Sequence, residues 1–182
     1  MVIRELLKKV ISELRKNGIE NEIFEANLMI RTVLGLSPIE LVLAYKNEAE
    51  EKDILEILKM VERRINGEPL QYILGTEEFM GLEFLVSPDC LVPRADTETL
   101  VEAVISQRCG KSVLDICTGS GCIGISIAHF NKNAFVRGVD ISDKALELAK
   151  KNAQKLNLSD RVRFEKCDIL TQIPSGCFDV IV

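Results

Sequence analysis

Apolar residues in the first third of the chain recur with a helical period. Between Val2 and Gly18 they share one face, and the pattern stops at Asn17-Gly18 as a helix C-terminus does. Similar patterns predict helices at about residues 22–34 and 51–66. Between them, Ser37-Pro38-Ile39-Glu40 carries a capping box with proline at the first helical position. Short helices with compact connections predict a helical bundle, which we set at residues 1–67 as a substrate-recognition domain.

The helical period disappears from residue 68 to residue 106, which we interpret as a linker. Apolar residues cluster around Gly81 between acidic residues, a pattern that predicts a short hairpin with Gly81 at or near its turn. Further along, Asp96 or Thr97 can cap a connecting helix. Arg94 follows a proline, and two interpretations of it stay open: it belongs to a rigid connector, or it faces a pocket.

From residue 107 onward, strand-like segments alternate with helical ones. The pattern predicts strands at Ser112–Cys117, Ala134–Asp140, Arg161–Asp168 and Phe178–Val182. Helices are predicted at Cys122–Phe130 and after a cap at Ser142, the latter burying Ala145, Leu148, Ala149, Ala153 and Leu156. This alternation is typical of a parallel, doubly wound α/β sheet with right-handed crossovers.

The first strand of this region runs into a glycine turn, Cys117-Thr118-Gly119-Ser120-Gly121. Glycines can take positive φ and carry no Cβ, so a ligand can approach the backbone and the first N–H groups of the following helix. The spacing also satisfies the dinucleotide fingerprint. The turn therefore predicts a nucleotide-type ligand without choosing one.

Three acids, Asp115, Asp140 and Asp168, stand at or just beyond strand ends, where ligands bind in such sheets. An aspartate after a strand is also a common turn or cap residue, but three beside one glycine turn favour a site. Asp140 lies about 20 residues beyond Gly119, where an acid can accept both ribose hydroxyls of an adenosine ligand.

Asp115 precedes the glycines and bears on the choice of ligand. A carboxylate beside a pyrophosphate costs on the order of several kcal/mol at 4 Å in a partly desolvated site. The ammonium of S-adenosylmethionine reverses the sign of that interaction. The pattern favours a methionine-derived cofactor over a nicotinamide dinucleotide.

The composition of the chain limits which kinds of partner it is expected to bind. The 182 residues are 47% apolar with a net charge of −5 and no Lys/Arg cluster, which argues against a large nucleic-acid footprint, although a local basic groove stays open. No apolar run approaches the roughly 18 residues of a membrane span, and the amino terminus is unlike a signal peptide. We expect a cytoplasmic protein with no membrane partner.

The six cysteines, Cys90, Cys109, Cys117, Cys122, Cys167 and Cys177, show no CxxC pair. We interpret them as reduced, mostly buried thiols and predict no metal site. The single histidine, His129, has no carboxylate or cysteine at ligand spacing and is interpreted as a helix-end residue.

A family resemblance covers the whole chain; Glu78-Phe79 and Val86-Ser87-Pro88 contribute to it, and three longer stretches carry most of it. They are Gly67-Glu68-Pro69-Leu70-Gln71-Tyr72-Ile73-Leu74-Gly75, Leu91-Val92-Pro93-Arg94-Ala95-Asp96-Thr97-Glu98 and Val113-Leu114-Asp115-Ile116-Cys117-Thr118-Gly119-Ser120-Gly121-Cys122-Ile123. Together they resemble the HemK-type protein-glutamine N5-methyltransferases. The resemblance implies S-adenosylmethionine as cofactor and, as substrate, the glutamine in the Gly-Gly-Gln loop of peptide chain release factors.

Carried over position by position, the resemblance puts the cofactor loop at Cys117 through Gly121, the ribose-binding acid at Asp140 and the adenine side at Asp168 and Ile169. Cys117 stands where the family usually has glycine, and Ala95 where it usually has proline. The first departure predicts modest crowding of the turn.

The resemblance also implies an Asn-Pro-Pro-Tyr motif, which holds the substrate amide, directly after the fourth strand of a seven-stranded sheet. We therefore expect residues 107–182 to be the N-terminal part of the methyltransferase domain. The chain would then be a fragment with no catalytic residue of its own and no activity. Three rivals stay open: a nucleic-acid amino-methyltransferase, a nicotinamide enzyme and a non-catalytic helical adaptor on a degenerate sheet.

Overall fold

A computed structural model describes residues 1–107 and 111–182. By the contacts within it, the chain divides into two compact units, Met1–Leu74 and Gly75–Val182. The segment after residue 67 thus belongs partly to the first unit, while the hairpin and the connecting helix belong to the second.

Helices form the first unit. They are α1 (Ile3–Lys16), α2 (Glu22–Leu34), α3 (Pro38–Leu43), α4 (Glu51–Ile65) and α5 (Leu70–Leu74), with a 3₁₀ turn at Ala44–Lys46. Their apolar faces meet in one core that includes Leu6, Val10, Leu14, Met29, Ile30, Leu41 and Ile57. The predicted bundle is confirmed, but α5 was not predicted, because five residues are too few to show a helical period.

Polar contacts fix the ends and the packing of these helices. The Ser37 hydroxyl accepts the Glu40 N–H at 3.3 Å and the Glu40 carboxylate accepts the Ser37 N–H at 2.8 Å, which confirms the predicted capping box at the start of α3. The half-buried Arg64 on α4 donates two hydrogen bonds to the buried carboxylate of Glu25 on α2, at 2.6 and 3.1 Å. The ion pair thereby joins α2 and α4 through two residues that are 39 positions apart in the sequence.

Within the described ranges, no single helix is long and apolar enough to cross a membrane. One pair, Glu22–Leu34 with Pro38–Lys46, meets the test of length and composition when taken together, and it is bent by 92°.

The second unit begins with a hairpin of β1 (Thr76–Phe79) and β2 (Leu82–Leu85). Phe79 pairs with Leu82, so Met80 and Gly81 form a two-residue turn, and both have positive φ, 54° and 69°. This confirms the predicted hairpin and places Gly81 where its freedom is needed. The Glu98 carboxylate accepts the Met80 N–H at 2.6 Å and ties the hairpin tip to the next helix.

That helix, α6, spans Glu98–Ser106 and follows a 3₁₀ turn at Ala95–Thr97. The prediction that Asp96 or Thr97 caps it is wrong. Thr97 occupies the N-cap position with its backbone in the helical region, and its side chain makes no cap hydrogen bond. The preceding 3₁₀ turn already continues into the helix, so there is no extended N-cap residue whose side chain could turn back.

The remaining elements are β3 (Ser112–Ile116), α7 (Cys122–Phe130), β4 (Phe135–Asp140), α8 (Asp143–Lys155), β5 (Val162–Lys166) and β6 (Val180–Ile181). The strands are parallel and lie in the order β5-β4-β3-β6, which confirms the predicted α/β class with its doubly wound pattern. β3 and β4 are therefore the two central strands, and their carboxyl ends lie side by side.

All four strands are shorter than predicted, β3 and β4 by one residue each and β5 and β6 by three residues each. β5 ends at Lys166, because Asp168 turns the chain: its carbonyl accepts the N–H groups of Thr171 and Gln172 at 3.1 and 2.8 Å. The last strand comprises only Val180 and Ile181. Asp168 thus lies in the loop beyond the strand and not within it.

Candidate functional site

The glycine turn is a left-handed bend between β3 and α7. Cys117, Gly119 and Gly121 have φ of 58°, 56° and 81°. The Gly121 N–H donates to the Thr118 carbonyl at 2.8 Å, and the Thr118 N–H donates to Val139 of the neighbouring strand at 3.0 Å. The turn is therefore closed on itself and fixed to the end of β4.

Position 121 requires glycine for two reasons, its positive φ and the lack of room for a Cβ. A Cβ there would lie 2.9 Å from Ile125 Cδ1 and from Phe164 Cζ. Gly119 differs, because a Cβ there would have no neighbour nearer than 3.9 Å. One glycine packs against the interior, and the other leaves open space beside the turn.

Asp115 lies beneath the turn and is 1% exposed. Its Oδ2 accepts the Thr118 hydroxyl at 2.6 Å and the Gly124 N–H at 3.1 Å. Gly124 permits the second contact, since a Cβ at that position would be 2.9 Å from the same oxygen. The carboxylate therefore already occupies the N-terminus of α7, which is where an anion such as a pyrophosphate would otherwise bind.

Burial raises the pKa of Asp115 from 3.8 to about 6, with a smaller contribution from the charge of Asp140, while the hydrogen bonds from Thr118 and Gly124 oppose the shift. The group is mostly ionised at neutral pH, and its charge faces the inside of the turn. Because Asp115 is buried beneath the turn, a cationic ligand would not contact its carboxylate directly, and the backbone of the turn would lie between them.

Asp140 ends β4 beside the turn and is half-buried. Its Oδ2 accepts the Gly119 N–H at 2.9 Å, and its Oδ1 accepts the Ser142 N–H at 3.0 Å. Ser142 in turn caps α8, accepting the Ala145 N–H at 3.3 Å as predicted. Each carboxylate oxygen has two lone pairs, so both can take a further donor from a ligand.

A pocket of about 280 Å³ opens at this edge of the sheet. It is lined by Cys117, Val139, Asp140, Ile141, Cys167, Asp168, Ile169 and Leu170. Four residues predicted from the sequence, Cys117, Asp140, Asp168 and Ile169, thus come together around one cavity. Thr118 and Ser120 are buried in the turn, so their side chains support it from behind.

The pocket adds apolar residues that the sequence did not single out. Ile141 is 61% exposed and Leu170 is 90% exposed, and with Ile169 they give the acidic pocket an apolar rim. The signal that could have found Ile141 is its place directly after the strand-ending Asp140. Exposed isoleucine and leucine at a pocket edge suit a flat, apolar ring system.

Arg94 is exposed, precedes the 3₁₀ turn and does not line this pocket. Its assignment to a pocket therefore stays a prediction.

The cysteines differ in burial. Cys90, Cys122 and Cys167 are buried, Cys117 and Cys177 are exposed, and Cys109 lies outside the described residues. Burial raises the pKa of both the Cys90 and the Cys122 thiols to about 11. These two thiols stay protonated at neutral pH and are poor nucleophiles.

A second, larger cavity of about 480 Å³ lies at the opposite, amino ends of the strands. It is lined partly by Ser112, Phe135 and Arg161, and the Arg137–Glu165 ion pair borders it. Arg161 there donates to the Ala128 carbonyl in the last turn of α7, a contact that closes the helix. Because ligands of such sheets bind at the carboxyl ends, the smaller pocket is the functional candidate.

Known proteins share this fold and sequence. A methyltransferase domain model matches residues 108–182. The tRNA (uracil-54, C5)-methyltransferase of Pyrococcus abyssi, solved with S-adenosyl-L-homocysteine, superimposes with a TM-score of 0.50 at 24% identity, over 58% of this chain and 26% of that one. The fold and the matching domain model define residues 108–182 as part of a methyltransferase domain.

Matches to the first unit and to the whole chain identify which methyltransferase family the chain belongs to. A model of the PrmC N-terminal domain matches residues 5–75. Release factor glutamine methyltransferases of Clostridium acetobutylicum, Moorella thermoacetica and Geobacter sulfurreducens are 39%, 35% and 36% identical over 100%, 100% and 99% of the chain. The chain belongs to this HemK-type family, and it spans 66%, 65% and 63% of those three relatives.

Proposed function

We propose that the protein transfers the methyl group of S-adenosylmethionine to the side-chain nitrogen of the glutamine in the Gly-Gly-Gln loop of peptide chain release factors. The observation that carries the proposal is the pocket at the carboxyl edge of the sheet. The pocket brings together the glycine turn, Asp140, Asp168 and Ile169. The relatives of the chain are named release factor glutamine methyltransferases.

The residues at this edge fit an adenosine ligand. Asp140 keeps lone pairs on both oxygens for two ribose hydroxyls, while the N–H groups of Gly119 and Ser142 hold the carboxylate still. Asp168, whose Oδ1 accepts the Leu170 N–H at 3.0 Å, adds an acceptor for an exocyclic amine. Ile141 and Ile169 supply apolar contact area on either side.

The charge distribution favours a sulfonium ligand over a dinucleotide. The Asp115 carboxylate lies beneath the turn at the N-terminus of α7 and disfavours a pyrophosphate there, whereas Asp140 suits the ribose of either ligand. When bound, S-adenosylmethionine supplies an activated methyl group on a positively charged sulfur.

The acceptor sets the rest of the mechanism. An amide nitrogen is a weak nucleophile because its lone pair is delocalised into the carbonyl. The protein must therefore align that nitrogen with the donor and keep water out, and positioning of this kind supplies a large part of a rate enhancement. In this chain the turn and Asp140 contribute to the alignment, because they hold the adenosine end of the methyl donor.

The helical bundle recognises the substrate in this proposal. The candidate site residues all lie in the second unit, and α3 turns Ile39, Val42 and Leu43 to solvent. Replacing Leu43 by Ser should raise KM for the release factor and leave kcat unchanged, whereas the same change at the exposed Leu55 of α4 should alter neither. Equal kinetics for both variants would assign the face of α3 no role.

The transfer is tested with tritium-labelled S-adenosylmethionine and protein expressed from its complete coding sequence. A release factor should gain label, and a release factor whose Gly-Gly-Gln glutamine is changed to alanine should not. Label on the alanine variant would place the methyl group on another residue. Label on transfer RNA and none on the release factor would assign a nucleic-acid substrate instead.

A further inference from the structure

One buried side chain joins the glycine turn to the hairpin. Asn152 of α8 is 0% exposed. Its Nδ2 donates to the Leu85 carbonyl at 3.0 Å and to the Ser120 carbonyl at 2.9 Å, while its Oδ1 accepts the Leu85 N–H at 2.7 Å. Both amide protons and the oxygen are used, on partners 67 and 32 residues away.

The contact with Leu85 resembles an added strand. Leu85 ends β2, and the Asn152 amide pairs with both its N–H and its carbonyl as a neighbouring backbone would. The remaining proton reaches Ser120, between the two glycines of the turn. A single planar group thus sets the distance between β2 and the turn.

The two segments joined by Asn152 are the glycine turn and the chain that follows Leu85, and both continue toward the pocket. The turn continues to Cys117 and holds Asp140 through Gly119. Downstream of Leu85, the chain reaches Cys90, whose pKa is raised first by burial and then by the charge of Asp140. In the same segment the Asp89 carboxylate accepts a hydrogen bond from Lys144 at 3.0 Å, so the segment lies beside the start of α8, the helix that follows Asp140.

We propose that Asn152 is a positioning residue, which holds the glycine turn in register with the segment that follows the hairpin and so sets the affinity of the cofactor pocket. Asn152 is not among the residues that line the pocket, so it acts through the turn. The inference rests on the proposed function, because it takes S-adenosylmethionine as the ligand.

Asn152→Asp is the informative change, because it preserves size and the acceptor for the Leu85 N–H. The two donated bonds become contacts between a carboxylate oxygen and carbonyl oxygens. Asn152→Gln keeps the amide but displaces it by one methylene, and it serves as the second variant if Asn152→Asp does not fold. Val162→Ala is the control, since Val162 is buried at the amino end of β5, away from the turn.

Titration calorimetry of S-adenosylhomocysteine into the 182-residue chain, beside a thermal melt of each variant, tests the inference. The Asn152 variant should bind about tenfold or more weakly, while Val162→Ala with a comparable loss in Tm should bind within about twofold of the unmodified chain. Faster hydrogen exchange of the Gly121 amide in the Asn152 variant should accompany the loss.

The outcomes separate the two proposals. If the unmodified chain binds S-adenosylhomocysteine and the Asn152 variants bind as well as Val162→Ala does, the role of Asn152 is refuted while the pocket stands. If the unmodified chain does not bind, the cofactor proposal fails and this inference fails with it.

Discussion

The N–H of Gly119 donates to Oδ2 of Asp140 over 2.9 Å, across 21 residues of sequence. This contact joins the end of β4 to the middle of the turn that follows β3. Because the two strands are neighbours in the sheet, Asp140 anchors the turn, and in the proposed site it is also the acceptor for the ligand. The geometry of the pocket therefore depends on the turn's backbone, which the following predictions probe.

Cys117 occupies a left-handed conformation, with φ of 58°, that glycine adopts freely. A residue with a Cβ pays roughly 1–2 kcal/mol there. Cys117→Gly should therefore be more stable than Cys117→Ala by about 1 kcal/mol, because alanine removes the thiol and keeps the strain. Urea denaturation of the two variants measures the difference. Equal midpoints would mean that the turn is not strained at this residue.

The two glycines of the turn should respond differently to alanine. Gly121→Ala adds a clash with Ile125 and Phe164 to an unfavourable φ, whereas Gly119→Ala adds only the unfavourable φ. We expect Gly121→Ala to lower the free energy of unfolding by about 3 kcal/mol or more and Gly119→Ala by about 1–2 kcal/mol. Chemical denaturation checks the order, and a reversed order would contradict the packing described around Gly121.

Asp115 should make the protein less stable as pH rises. Its pKa is raised in the folded state from 3.8 to about 6, so its favourable contribution is complete below pH 3.8 and is lost as pH rises through 6. Between pH 4 and pH 7 the stability of the unmodified protein should fall relative to Asp115→Asn by up to about 3 kcal/mol.

The measurement is the free energy of unfolding of both proteins across that range. The exposed Asp143, changed to Asn, is the control, and its difference from the unmodified protein should stay small. Parallel stability curves for the unmodified protein and Asp115→Asn would show that Asp115 is not buried as an ionisable group.

Local signals were enough to predict the bundle, the hairpin turn and the alternation of the sheet. The capping box at Ser37-Pro38-Ile39-Glu40 and the hairpin turn at Gly81 could be predicted because each depends only on residues a few positions apart in the sequence. The acids at the strand ends could be predicted to share an edge, since parallel strands end on the same side. Asp140 and Asp168 do line one pocket, whereas Asp115 lies beneath the turn.

Asn152 could not be found in this way. Its helix was predicted to bury Leu148, yet Leu146 and Asn152 are buried and Leu148 is only half-buried. A buried asparagine is satisfied here by Leu85 and Ser120, and no local pattern shows partners so far along the chain. The apolar rim residue Leu170 was missed for a different reason, because β5 was predicted to run on to Asp168 and the turn there was not foreseen.

The account depends most directly on Asp140 as the acid that holds the cofactor. Calorimetric titration of S-adenosylhomocysteine and, separately, of NADH into the unmodified chain, Asp140→Asn and the control Asp143→Asn tests it. We predict that the unmodified chain and Asp143→Asn bind S-adenosylhomocysteine and not NADH, and that Asp140→Asn binds S-adenosylhomocysteine about 10- to 100-fold more weakly. Preference for NADH, or unchanged affinity in Asp140→Asn, would contradict the account.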